Sequence, residues 1–166
     1  MNKENFNKLI TVLDKEIKAY TTLKELFEEK RELLKKAKSG DLGTIDNKIL
    51  SVNNLITKLN NSRKNISSIL IDENANKMSQ FIELAEQNAP EFVEPLTERK
   101  VKICKLFEEL ALLNSQNVEL IKHGIVMTNK MLETIVDAFA PQGSNYNGAG
   151  KTDTRDLDMW TINEEI

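Results

Sequence analysis

Few residues in this chain have the type and spacing for chemistry. His123 is the only histidine, and Glu119 lies one helical turn before it on the same face. A carboxylate–histidine metal site would use such a pair, but a di-iron bundle needs two Glu-x-x-His elements and further inward carboxylates. The pair therefore reads as an exposed helical ion pair. Gly148-Ala149-Gly150-Lys151-Thr152 ends as a phosphate-cradling loop does, yet GxxxxGK[ST] requires glycine at residue 145, where this chain has Asn145. Cys104 is the single cysteine and has no partner for an internal disulfide or a thiolate cage. Beside the apolar Ile103 it is expected to be a partly buried thiol. A serine nucleophile would need a positioned histidine base, which a lone helical His123 does not supply. The expectation is no enzyme, no cofactor and no metal.

Charge narrows the partners. The formal net charge is −3, and it is uneven, with ten basic and seven acidic side chains in residues 1–40 against two basic and five acidic in 139–166. Nucleic-acid binding is disfavoured because it depends on a concentrated basic surface. Lys35, Lys36 and Lys38 suit the last turn of a helix, whose carbonyls and dipole favour cations. No apolar run approaches the roughly 18 residues of a membrane span, and the start MNKENFNKLI lacks a signal peptide's apolar core. A cytosolic protein without stable membrane insertion is expected.

The elements that must position any functional residues are helices. Leu42, Ile45, Ile49, Val52, Ile56, Leu59, Arg63, Ile66 and Leu70 recur at steps of three and four, the spacing of a seam between helices. Helix one is expected from about Lys3 to Lys38, with Phe6, Leu13, Tyr20, Phe27 and Leu34 seven residues apart. Gly40 would supply its left-handed end, with Asp41 or Thr44 capping the next helix. Asp72, Asn74 and Asn76 mark a break before a short helix with Met78, Phe81, Ile82 and Ala85, although Ile71 and Ala75 would also continue helix two after a phase shift. Pro90 and Pro95 fix a hinge. The last helix begins at Glu91 or Leu96 and follows Leu96, Arg99, Ile103, Leu106, Leu110, Leu113, Asn117, Leu120, Gly124, Met127, Met131 and Ile135 to about Ala138, roughly 65–70 Å against roughly 54 Å for helix one. One end of it would overhang. The fold class is all-α: an elongated antiparallel bundle with coiled-coil packing, three long helices plus one short one over 1–138, and a flexible C-terminal tail over 139–166.

Arg63 and Asn117 interrupt the seams. Buried polar seam residues can fix register, and Asn117 is read so; Arg63 either does the same or snorkels to water over its apolar stem. After Asn117 the apolar face widens. The seam line Leu120, Met127, Met131, Ile135 is joined by Ile121, Ile125, Leu132, Val136 and Phe139. Either this helix packs against two neighbours at once, or the second line is an apolar groove whose methionines adapt to a partner helix.

The chain resembles the FlgN-like family of flagellar type III export chaperones. The resemblance rests on two long N-terminal helices, Arg63 near the end of the second, a shorter segment, and a long helix with Asn114-Ser115-Gln116-Asn117 before Leu120-Ile121. A tail with Tyr146 and Gly150, like the family's Tyr-x-x-x-Gly element, completes it; the acidic ending around Asp156, Asp158 and Trp160 departs from the family pattern. The resemblance implies a chaperone that binds hook-associated proteins at the hook-filament junction before export, masks their helical terminal segments and delivers them to the export apparatus. It also implies client binding in the C-terminal region, here Ile121, Ile125, Met127, Met131, Leu132, Val136 and Phe139, with Tyr146 as an anchor. The protein would be a monomer or small homo-oligomer with satisfied seams. Trp160, Leu157 and Ile162 either occupy the same groove in the free protein or belong to a disordered tail. The competing expectation is a structural coiled-coil oligomer or adaptor whose seams pair between chains.

Overall fold

The computed structural model describes residues 2–71 and 77–139. Its elements are α1 (Asn2–Lys35), α2 (Ser39–Leu70), α3 (Met78–Asn88), a 3-10 turn (Pro90–Phe92) and α4 (Val93–Phe139). By its contacts the chain separates into two units, Met1–Gly124 and Ile125–Ile166.

The turn between α1 and α2 differs from the sequence expectation. Helix α1 ends at Lys35, and the left-handed residue is Ala37 (φ 52°), not Gly40, which lies inside α2. Lys38 N–H donates to Leu33 O at 3.1 Å and Ala37 N–H to Leu34 O at 3.2 Å, the paired bonds of a Schellman ending. With so short a turn, the left-handed position falls before α2 restarts, whatever residue stands there. Neither Asp41 nor Thr44 caps α2; its N-cap is Lys38, which makes no side-chain capping bond.

Within the first unit, α1 and α2 are antiparallel. Lys30 pairs with Asp46 at 2.6 Å near the turn, and Glu16 with Arg63 at 3.2 Å farther along. The α2 seam points inward: Ile45, Ile56 and Leu59 are buried, with Leu42, Ile49, Val52, Ile66 and Leu70 half-buried. Helix α4 runs parallel to α1. Lys3–Glu91, Phe6–Phe92, Tyr20–Phe107 and Lys24–Glu109 meet at a nearly constant sequence offset, which is 85 for Asp14–Arg99 and 90 for Phe27–Asn117. Their spacing on α4 is heptad: Leu96, Ile103, Leu110 and Asn117 are all buried. Lysines at hydrogen-bond distance hold the exposed Glu91 and the half-buried Glu109 carboxyls below the ordinary range.

Helix α3 begins at Met78, where Gln80 accepts the Lys77 N–H at 3.1 Å. It is a helix separate from α2; residues 72–76, where the break was expected, lie outside the described residues. Its Phe81 and Ala85, with Ala89 and Phe92, join Phe6, Leu9 and Leu13 in one core cluster. Phe6 and Phe92 stack at 5.2 Å, a contact worth about 0.5–1.5 kcal/mol beyond its burial. Pro90 starts the 3-10 turn and Pro95 occupies the first turn of α4, which begins at Val93 instead of Glu91 or Leu96.

Four polar residues inside the seams, Glu16, Arg63, Arg99 and Asn117, make specific contacts. Glu16, 1% exposed, faces Arg63 Nε at 3.2 Å; the approach is poorly aligned for a hydrogen bond, and Glu16 Oε1 and Arg63 Nε have no hydrogen-bond partner. Arg63 Nη2 donates to Asn60 Oδ1 at 3.2 Å, so the arginine turns inward and does not snorkel. Burial pushes the Glu16 carboxyl up, with Arg63 opposing; Tyr20 is pushed up by burial and then by the Glu16 charge. Arg99 clasps Asp14 through two bonds of 2.9 and 3.0 Å, a fork that fixes α4 on α1. Asn117 Nδ2 donates to Phe27 O at 3.0 Å, while its Oδ1 has no hydrogen-bond partner.

Candidate interaction surface

Helix α4 changes character after Asn117. The contacts of α4 with α1 reach Asn117, which bonds Phe27, and α1 itself ends at Lys35, eight residues after Phe27. Gly124 occupies the next heptad position after Asn117, and a Cβ built on it would meet nothing within 4 Å. From Ile121 to Val136 every residue is exposed.

The exposed residues are sorted by face. At about 100° per residue, Ile121, Ile125, Met127, Met131, Leu132, Ile135 and Val136 fall within about half of the helix circumference, and Glu119, Lys122, His123, Lys130 and Glu133 on the rest. Val126 is the exception, an exposed valine on the charged side. Exposure across the apolar positions runs from 37% at Ile121 to 64% at Val136. Among the described residues no second helix lies against either line, so the two neighbours that the sequence also allowed are not found there. An uncovered amphipathic face fits a partner helix laid along it. The methionines add adaptability, since an unbranched thioether chain repacks easily. Phe139 is the last residue of α4, and Tyr146 lies outside the described residues, as do Leu157, Trp160, Ile162 and the Gly148–Thr152 stretch.

The other candidates are not drawn together. Cys104 is exposed instead of partly buried, because one residue beyond Ile103 is about 100° around the helix from the seam. His123 and Glu119 are both exposed, and no ion pair joins them. Among the described residues no group of three His, Cys, Asp or Glu is placed to hold a metal, and no helix is long and apolar enough to cross a membrane. The residue that sequence reasoning missed is Glu16. Its signal is the line Leu9, Glu16, Leu23, in which two buried leucines flank it at heptad spacing.

A helical bundle with its seams buried inside one chain, and with one uncovered amphipathic helix face, defines a helical interaction protein. Comparison with known families makes this specific. The FlgN protein family matches residues 1–154, and the chain belongs to it. It is thus a flagellar export chaperone in the general sense of that family. Comparison with the curated proteins and with the solved structures gave no match.

Proposed function

We propose that this chaperone binds hook-associated proteins of the hook-filament junction in the cytoplasm, masks their helical terminal segments and delivers them to the export apparatus. The binding surface is Ile121, Ile125, Met127, Met131, Leu132, Val136 and Phe139, with Tyr146 as an anchor just beyond α4. The observation that carries this reading is the exposed apolar face of α4 beside a first unit whose apolar seam residues, among the described residues, pack into one buried cluster. Exposed amphipathic helix faces of this kind accept a second helix through anchors spaced three and four residues apart. Masking also protects the client, whose own apolar stripe would otherwise associate non-specifically.

The test is a pull-down from a flagellated source with the full chain as bait, followed by identification of the bound proteins. Hook-associated proteins are expected as the dominant captured species. Capture of other flagellar components, with hook-associated proteins left in solution, would contradict the client assignment while leaving the chaperone family intact.

A further inference from the structure

We propose that the groove between α1 and α2, on the side away from α4, is a second interaction surface and takes an acidic amphipathic helix from a partner protein. Its floor is Val12 and Ile66, half-buried between Asn7 and Thr11 of α1 and Ser62 and Asn65 of α2. Val12 lies about 160° around α1 from Asp14 and about 120° from Lys24, the residues that meet Arg99 and Glu109, so α4 leaves this groove open. Thr11 and Ser62 donate their hydroxyls to carbonyls of their own helices at 2.9 and 3.0 Å, and the walls they form ask no hydrogen bond of an occupant. The apolar strip continues along α2, where Leu55 and Ile69 stand one heptad to either side of Ser62 and are 49% and 65% exposed. From Leu55 to Ile69 is about 21 Å, room for about four turns of a docked helix.

Charge selects the occupant. Asp14 and Glu16 are the only acidic side chains of α1 between Asn5 and Lys24, and each already faces an arginine, Arg99 and Arg63. Residues 47–70 of α2 contain no acidic side chain at all. Lys15, Lys18 and Lys58 border the groove, one helical repeat from Thr11, Ser62 and Asn65; all three are exposed, and no described residue pairs with them. Apart from Lys48, Lys58 and Lys64, the exposed positions of 47–70 are Asn, Ser, Thr, Leu and Ile, the charge-poor composition of a surface that is covered by a partner. A helix with an apolar line and acidic flanks matches both features at once, its line on Leu55, Ile66 and Ile69 and its carboxylates on the three lysines. A flat lipid surface matches less well, because Val12 and Ile66 lie at the floor of the groove instead of on a crest. The groove uses no residue of the α4 face and stands whichever client that face takes.

The test is fluorescence anisotropy of the full chain with a labelled four-turn peptide of Leu, Ala and Glu, its leucines three and four residues apart and its glutamates on both flanks of that line. Binding should saturate and weaken as salt rises. A peptide of the same composition with its leucines scattered, and one with Lys for every Glu, should bind at least about tenfold more weakly. Lys15→Glu, Lys58→Glu should lose about fivefold or more, and Leu55→Ser, which keeps every charge, about threefold. Circular dichroism checks each fold, and Lys15→Gln, Lys58→Gln replaces the reversed pair if that pair loses helix. The Leu132→Asp, Val136→Asp variant should bind the peptide as the unaltered chain does. Equal binding of the scattered peptide, or unchanged affinity in the lysine or Leu55 variants, would overturn the proposal. Loss of binding in the Leu132→Asp, Val136→Asp variant would overturn it by placing the peptide on α4. Two further results would assign the groove to another occupant and overturn the proposal as well. One is pelleting with phosphatidylserine vesicles that Lys15→Glu, Lys58→Glu abolishes, and the other is concentration-dependent self-association that the same variant abolishes.

Discussion

Replacing Arg63 by Met should destabilise the bundle by an amount that depends on pH. Methionine keeps the apolar stem but removes the cation facing Glu16, whose side chain is 1% exposed against 18% for Arg63. The carboxylate left behind has no compensating charge and escapes by taking up a proton. Protonation above its ordinary value of 4.5 costs about 1.36 kcal/mol per pH unit, which caps the penalty at about 3 kcal/mol at pH 7 and below about 1 kcal/mol at pH 5. The sign follows from linkage: burial raises Glu16 in the folded chain, so the native state holds the proton more tightly than the unfolded one. At this site stability is greatest below about pH 4.5 and falls as pH rises through the raised value. Removing Arg63 extends that fall upward in pH. Glu91 and Glu109, held low by lysines, have the opposite dependence, losing stability as pH falls, but they are common to both proteins and cancel in the difference. Urea denaturation of wild type and Arg63→Met at pH 5 and pH 7 measures it. The Glu16→Leu, Arg63→Met double variant should match or exceed wild type, since a buried pair replaced by apolar groups is commonly neutral or stabilising. An equal Arg63→Met penalty at both pH values, or a double variant weaker than the single, would refute the reasoning.

Three further outcomes follow from named contacts. Ala37→Gly should raise stability by about 0.5–1 kcal/mol in thermal denaturation, because φ 52° strains an alanine and suits a glycine. Asn117→Leu should change stability by less than about 1 kcal/mol, since it forfeits the 3.0 Å bond to Phe27 O but also removes an orphaned buried Oδ1; melting and sedimentation together would show whether helix register relaxes. Ile56→Asp, at a buried seam position, should cost more than about 3 kcal/mol in urea denaturation, whereas Lys48→Ala on the exposed side should stay within about 0.5 kcal/mol.

Heptad spacing made most of the bundle legible. The steps from Leu42 to Leu70 and from Leu96 to Asn117 match the inward faces of α2 and α4 because a seam imposes its period on the sequence. What failed depends on geometry that spacing does not encode. Gly40 looked like the helix terminator, but the turn's length put the left-handed residue at Ala37. Glu16 was missed although Leu9 and Leu23 flank it at heptad spacing, because a charged residue on such a line is more commonly solvated than turned inward. The widened face after Asn117 was legible as a pattern, while its exposure was not. The α1–α4 contacts reach Phe27–Asn117 and α1 ends at Lys35, and among the described residues the later apolar positions of α4 are exposed.

The most direct test of the account is calorimetric titration of purified hook-associated protein into wild type and into the Leu132→Asp, Val136→Asp variant. These two positions are 54% and 64% exposed, so the charges should leave the bundle folded, which circular dichroism checks. The account predicts saturable binding by wild type and an affinity at least about tenfold weaker in the folded variant, as expected when two apolar anchors become charges. Undiminished affinity in the folded variant would contradict it.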